Sequence, residues 1–373
     1  MFSIEEIVKK IKEKAVFSFD FSKKSYLGID IGTSAIKIVD ISIRRNRKNL
    51  ENYGEAKSKF LFGKYYRTSK GTEIFLSDNE IADAIKQIIK EANIKTKEAT
   101  FALPDFASFF TRFDLPPMTK EELPEAVRFE ARQYIPLPLS EVTLDWQILR
   151  EKVVSGKQKQ FRILLVAVPQ RTVQQYQDIA NNVGLEKFAL EAEIFALIRS
   201  LIKGREEEKK NICLVDIGAR TTSISIIERG ELFISHSLDT FSGNILTAQV
   251  SRSLNVSLEE AEELKVKFGM VDESQNLRMI LQPLIDDLVK KIEKIISNHE
   301  KGDNESQIEE IILTGGGAQL RGLKDYLSFE ISKETKIGNP FENIFYPPIL
   351  EEKIKKISSS YSVAIGVAQR KIV

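Results

Sequence analysis

Two stretches of this chain are written on one pattern. "YLGIDIGTSAIKIVDI" (26–41) and "CLVDIGARTTSISII" (213–227) each run an apolar stretch into Asp-Ile-Gly, pass through small hydroxyl residues and become apolar again. Asp30-Ile31-Gly32 falls on Asp216-Ile217-Gly218, with Thr33 and Ser34 roughly answered by Thr221 and Thr222. Short apolar runs around a Gly-containing turn predict strand, tight turn, strand. Written twice, the pattern predicts two α/β halves that each open on the same hairpin.

The remaining periodicity alternates between strand and helix. "DNEIADAIKQIIKEANI" (78–94) puts Ile81, Ile85, Ile88 and Ile89 on one helical face, opened by its Asp/Asn pair as cap. "EATFALPDF" predicts a strand ending at Pro104, and the basic "IRRNRKNLEN" reads as a solvated hairpin connection. From 105 to 150 the character changes: Pro116, Pro117, Pro124, Pro136 and Pro138 crowd one window. Pro124 falls near the start of a helix over "EELPEAVRFEARQYI", where its missing N–H costs little. Thr119 and Glu122 predict a capping box there, and Pro136 is expected to end the helix. The segment reads as an inserted subdomain of one helix and a few strands. "FRILLVAVP" (161–169) predicts a buried strand, and "TVQQYQDIANNVGL" a helix closed by Gly184. "EAEIFALIRSLI" predicts a second helix that runs into the charged break at 203–211, a natural domain boundary. Amphipathic helices are predicted at 257–269 and 281–301. "IEEIILTGGGAQLRGLKDYLSFEIS" predicts strand, Gly-rich turn and helix, and "SVAIGVAQRKIV" a last apolar helix.

Charge and composition exclude several classes. Lys and Arg number 55 against 54 Asp and Glu, so nucleic acid or an anionic membrane has no electrostatic claim as main partner. No apolar run reaches the length of a membrane span, and the N-terminus lacks a signal peptide's apolar core. It does carry Phe2, Ile4, Ile7, Val8 and Ile11 at helical spacing, an amphipathic segment expected to dock on the body, a partner or a membrane face. One Cys, Cys213, excludes an internal disulfide, and two separated His, His236 and His299, argue against zinc. The expectation is a soluble, intracellular chain.

The hairpins carry chemistry. A Gly-containing turn with hydroxyl residues exposes backbone N–H groups that replace a phosphate's water, and Gly32 and Gly218 let the backbone come close. Asp30 and Asp216 would repel phosphate directly, so their expected task is to hold Mg²⁺ through its waters. Two such turns facing each other enclose a polyphosphate. Gly315-Gly316-Gly317, between a strand and a helix, lets a planar base or ribose lie on bare backbone. Neither a P-loop nor a G-x-G-x-x-G fingerprint is present.

Two phosphate hairpins and a downstream Gly-rich turn, in this order, resemble the actin/sugar kinase/DnaK-type ATPase superfamily. Its fold is two ribonuclease-H-like α/β domains with inserted subdomains and a nucleotide cleft between them. "LPPMTKEELPEAVRFEARQYIPLPLSEVTLDWQIL", "SLEEAEELK" and "ILTGGGAQLRGL" resemble the type IV pilus assembly protein PilM family, and the likeness covers roughly 26–370. On this resemblance 1–25 is an N-terminal extension. Domain 1 spans 26–195 with a peptide-binding insert at about 105–160; domain 2 spans 196–358 with a helical insert at about 244–308; residues 359–373 return to domain 1.

The resemblance implies ATP or ADP with Mg²⁺ as cofactors. The expected nucleotide set is Asp30, Gly32, Thr33, Ser34, Lys37, Asp216, Gly218, Ala219, Arg220, Thr221, Thr222, Gly243, Glu262, Lys265, Gly315, Gly316, Gly317 and Ala318. Glu262 and Lys265 would reach the ribose and adenine, and Glu193 would lie near the attacking water. Arg220 stands where the family more often has a small residue; it contacts phosphate or crowds it. The implied role is a cytoplasmic adaptor, peripheral to the inner membrane. It grips the N-terminal cytoplasmic peptide of the membrane protein PilN through Leu103, Phe129, Tyr134 and Ile135. Other inner-membrane pilus platform proteins and self-association complete the implied partners. ATPase activity is expected to be slow or negligible. A sugar or small-molecule kinase of the same fold, or an FtsA-like membrane-associated filament, are the alternatives.

Overall fold

A computed structural model describes residues 24–44, 47–57, 77–155, 158–271, 276–302 and 307–371; the N-terminal amphipathic segment lies outside them. Strands β1 (Lys24–Ile31) and β2 (Ala35–Arg44) form the first hairpin, and β3 (Arg47–Lys57) extends it antiparallel. The basic stretch after the hairpin is therefore largely strand. Ile41 pairs with Leu50, both buried, and a one-residue slip would turn both to solvent. Helix α1 (Asp78–Glu91) buries Ile81, Ile85 and Ile88, with Ile89 at the margin. Its cap is Ser77, one residue ahead of the expected Asp/Asn pair, because Ser77 and Glu80 close a capping box. Strand β4 (Glu98–Leu103) follows, ending before Pro104.

The inserted segment holds β5 (Phe109–Met118), α2 (Leu123–Ala131), β6 (Val142–Ser155) and β7 (Gln158–Pro169), with sheet order β5-β7-β6. Glu122 takes both the N–H and the hydroxyl of Thr119, at 2.7 and 2.9 Å, yet α2 begins a turn later, at Leu123. It also stops at Ala131 in tight turns rather than at Pro136. Next come α3 (Gln170–Val183), closed by left-handed Gly184 (φ 81°), β8 (Lys187–Ala192) and α4 (Glu193–Leu201). The predicted helix over "EAEIFALIRSLI" is thus split: Glu191 and Ala192 belong to a strand, and the helix starts at Glu193.

The second half contains β9 (Asn211–Ile217), β10 (Thr222–Glu228) and β11 (Glu231–Leu238), then α5 (Gly243–Leu254), α6 (Leu258–Phe268) and α7 (Asn276–Gly302). It closes with β12 (Glu310–Thr314), α8 (Leu323–Ile331), β13 (Glu334–Ile337), α9 (Glu351–Ile357) and α10 (Ser362–Ala368).

The two large sheets share one topology: β3-β2-β1-β4-β8 and β11-β10-β9-β12-β13. In each, an antiparallel meander is continued by two parallel strands. Alternation along a strand sorts side chains by face. Leu27, Ile29 and Ile31 meet Ile81 and Ile85 of α1 and Tyr176 and Ile179 of α3. Gly28 turns the other way, where α10 lies so close that a Cβ would come within 1.8 Å of the Ala364 carbonyl. In the second sheet, Cys213, Val215 and Ile217 face α5 to α8, while Ile212 and Leu214 face α4 and Val363 and Val367 of α10. Helices α4 and α10 therefore lie between the sheets. They cross where a Cβ on Gly366 would meet the Ala196 carbonyl at 2.0 Å. Each fully buried Ile or Leu in these layers contributes about 1.5–3 kcal/mol. Phe341, Ile344 and Ile354 also pack on β2 and β3, so the segment before α10 already wraps the first sheet.

Candidate functional site

Both hairpins turn in the same way. The Gly32 N–H donates to the Ala35 carbonyl at 3.0 Å, and the Gly218 N–H to the Thr221 carbonyl at 2.9 Å. Both turns line one cleft of about 550 Å³, a volume within the range of small-molecule sites. The first half presents Asp30, Gly32, Thr33, Ser34 and Lys37 to it; the second presents Asp216, Gly218, Ala219, Arg220 and Thr221. Across the first hairpin Asp30 pairs with Lys37, whose ammonium is 3.9 Å from its carboxylate. Across the second, Asp216 pairs with Ser223. The start of α5 buttresses the second turn: Gly243 N–H reaches the Gly218 carbonyl at 3.0 Å, and Asn244 N–H the Ala219 carbonyl at 2.9 Å. Gly243 lines the cleft, but its own N–H is committed to that turn.

Four carboxyl groups influence one another here. Burial, then Asp105, Asp30 and Asp216, push Glu193 well above the usual carboxylate range. Burial carries Asp105 up to about 7 against the opposing Ile194 N–H, and burial with Asp30 carries Asp216 up to about 6. Asp30 is raised by burial, and Lys37 opposes the rise. Packing so many acids together in a desolvated cleft favours their neutral forms until positive charge arrives. Asp105 and Glu193 also tie the chain just past β4 to the first turn of α4 through backbone N–H groups. Asp105 Oδ1 accepts from Ile194 N–H at 3.1 Å, and Glu193 Oε2 from Asp105 N–H at 3.3 Å. Oδ2 of Asp105 is buried without a hydrogen-bond partner.

The third wall comes from the second half. Gly315 (φ 83°) and Gly317 are required by the second hairpin. A Cβ on either would come within 2.4 Å of Asp216 Oδ1 or 2.2 Å of Ile217 Cγ2. Gly316 instead has nothing within 4 Å of a Cβ position and leaves bare backbone open to the cleft. From α6, Glu262 and Lys265 line the cleft beside it. The Lys265 ammonium donates to Glu262 Oε2 at 2.6 Å, the Thr247 hydroxyl at 2.9 Å and the Gly243 carbonyl at 3.1 Å. That lysine thus ties α6 to the start of α5.

Two expected residues lie elsewhere. Thr222 and Ala318 are fully buried: Thr222 points inward from β10 with its hydroxyl unpartnered, and Ala318 packs in the second-half core. Asp105 and Phe106 were missed by sequence reasoning. Their signal was an Asp directly after Pro104 at the carboxyl end of a parallel strand, where open α/β sheets gather ligands. Of the apolar groove candidates, Leu103 and Ile135 are core residues, 5% and 7% exposed. Phe129 and Tyr134 are 65% and 44% exposed, with Tyr134 stacked on Phe113 at 5.4 Å.

A magnesium nucleotide fits this donor set. Oxygen ligands stand at both hairpins, and Gly316 leaves room for a flat group. Among the described residues no three His, Cys, Asp or Glu side chains meet as a direct metal-binding group. A Mg²⁺ ion here would keep waters and phosphate oxygens as its ligands, as that ion commonly does.

Duplicated sheets, two helices crossing between them and a cleft faced by both hairpins define the actin-like ATPase class. The chain resembles the solved "PilM-PilN type IV pilus biogenesis complex" at TM-score 0.79 and 26% identity, over 93% of this chain and 98% of that one. MreB5 of Spiroplasma citri, solved bound to AMPPNP, shares the fold at TM-score 0.53 and 14% identity, over 94% and 96% of the chains. Cell division protein FtsA of Buchnera aphidicola is 25% identical over 57% of this chain; the match spans 56% of that protein's length. The family described as type IV pilus assembly protein PilM matches residues 28–372, and the chain belongs to that family.

Proposed function

We propose that this chain is an ATP-binding adaptor of type IV pilus assembly that holds the N-terminal cytoplasmic peptide of a PilN-type inner-membrane protein. The observation that carries the reading is the likeness, over 93% of the chain, to the protein solved in the PilM–PilN complex. The exposed Phe129 and Tyr134 on and after α2 offer the peptide an aromatic anchor pair. ATP belongs in the cleft, with Gly316, Glu262 and Lys265 at the nucleoside and the two hairpins on the phosphates. The MreB5 of the same fold was solved with an ATP analogue. Asp30 and Asp216 would hold Mg²⁺ through water. Bound there, the ion supplies positive charge that offsets the phosphates and the clustered acids.

Glu193 is the residue positioned beside a terminal phosphate. Hydrolysis also needs a positioned water, for which Glu193 is the candidate, so we expect it to be slow and the nucleotide chiefly to set the angle between the halves. The adaptor works on the cytoplasmic face through its partner; no helix among the described residues is long and apolar enough to cross a membrane. Calorimetric titration of a PilN-type N-terminal peptide, with and without Mg·ATP, tests the reading. Saturable one-to-one binding is expected, and absence of binding in every nucleotide condition contradicts it.

A further inference from the structure

We propose that Arg220 is the residue by which the cleft tells a nucleoside triphosphate from a diphosphate. In this assignment its guanidinium binds the terminal phosphate, and Phe106 is the perch from which that phosphate draws it. The proposal rests on the nucleotide reading above and deepens it.

Both turns close with the same glycine hydrogen bond, so Arg220 in the second occupies the place of Ser34 in the first. One turn ends in a short hydroxyl; the other carries a long planar cation. That cation leaves its own half: Arg220 Cζ lies 4.6 Å from the centroid of the Phe106 ring, in the one-turn helix Asp105–Ala107 of the first half. Both residues line the cleft. The nucleoside seat at Gly316, Glu262 and Lys265 belongs wholly to the second half. On the nucleotide reading, a phosphate chain leaving that seat past the second turn would end toward the first half, whose Phe106 and Glu193 line the same cleft. Arg220 is therefore aimed at the far end of the chain, where triphosphate and diphosphate differ.

The chemistry favours exchange of ring for phosphate. A guanidinium stays charged, and its planar fork matches two phosphate oxygens at once. The ring contact is one of the interactions Arg220 makes, and a hydrogen-bonded anion is a stronger partner than a ring. Phe106 directly follows Asp105, which is bonded to the first turn of α4. Release of Phe106 thus touches the helix that joins the two halves.

The test is equilibrium binding of Mg·ATP and Mg·ADP to the full chain and to R220A, R220K and F106L. For R220A we expect ATP binding weakened about 30-fold and ADP binding no more than about twofold. R220K should recover part of the ATP loss, since the charge remains and the fork does not. F106L, which keeps bulk without the ring, should tighten ATP about two- to threefold and leave ADP unchanged. If R220A does not fold, R220Q is read in its place. Equal loss of both nucleotides, or no loss of either, overturns the assignment. Failure of the wild-type chain to bind either nucleotide is a different result: it overturns the nucleotide reading and the assignment with it.

Discussion

Lys37 and Ser223 hold the same position in the two halves: each lies across its hairpin from the aspartate one residue before the end of the preceding strand. The first aspartate, Asp30, thus has an ammonium 3.9 Å away, while Asp216 has only a hydroxyl opposite. The pair of turns is symmetric in backbone and asymmetric in charge.

That asymmetry predicts unequal substitutions. Lys37→Met should cost about 2 kcal/mol in urea unfolding, less than a fully buried ion pair because the contact is long and Asp30 can take a proton. It should also weaken Mg·ATP about tenfold or more. Ser223→Ala should cost no more than about 1 kcal/mol and change affinity less than threefold.

Two glycines separate packing from binding. Gly366→Ala drives a methyl into the Ala196 carbonyl where α4 and α10 cross, and should cost about 3 kcal/mol or prevent folding. Gly316→Ala meets nothing within 4 Å and should leave the unfolding free energy within about 0.5 kcal/mol of wild type. The same methyl stands in the proposed nucleoside seat and should weaken ATP binding.

Asp105 predicts a pH dependence. Below about pH 4 the folded and unfolded chains both hold its proton. Between there and about 7 only the folded chain keeps it, so stability falls as pH rises through that window and levels off above it. Asp105→Asn retains an acceptor for the Ile194 N–H and removes this loss. Its unfolding free energy should exceed wild type by on the order of 4 kcal/mol at pH 8 and match it near pH 4.

The proposed partner face predicts a surface effect. Phe129→Ser should change stability by less than about 0.5 kcal/mol, since the ring is 65% exposed, while weakening a PilN-type peptide about tenfold in calorimetry. Leu103→Ala, by contrast, should destabilise by about 2–5 kcal/mol through the first-half core.

Features carried by local patterning were legible in the sequence: both hairpins, the Ile face of α1, the Gly184 stop and the strand before Gly315. Those set by tertiary pairing were not. "KFALEA" is rich in helix formers, yet it is strand β8 because it pairs parallel with β4 from Glu98↔Lys187 to Leu103↔Ala192. Thr222 follows Thr221 by one residue, and strand alternation turns it into the core while Thr221 lines the cleft. In the Gly triplet the three residues look alike in sequence; only the approach of Ile217 separates Gly315 and Gly317, which pack, from Gly316, which is open. Asp105 gains its importance from Glu193, far along the chain, and no local pattern announces that pairing.

The central claim is that both hairpins act on one ligand. Calorimetry of Mg·ATP binding to wild type, Asp30→Asn and Asp216→Asn tests it most directly. The account predicts that each single substitution weakens Mg·ATP at least about tenfold, by removing one of the two carboxylates proposed to hold the ion's waters. Wild-type affinity in either variant would contradict it and leave the nucleotide to one half alone.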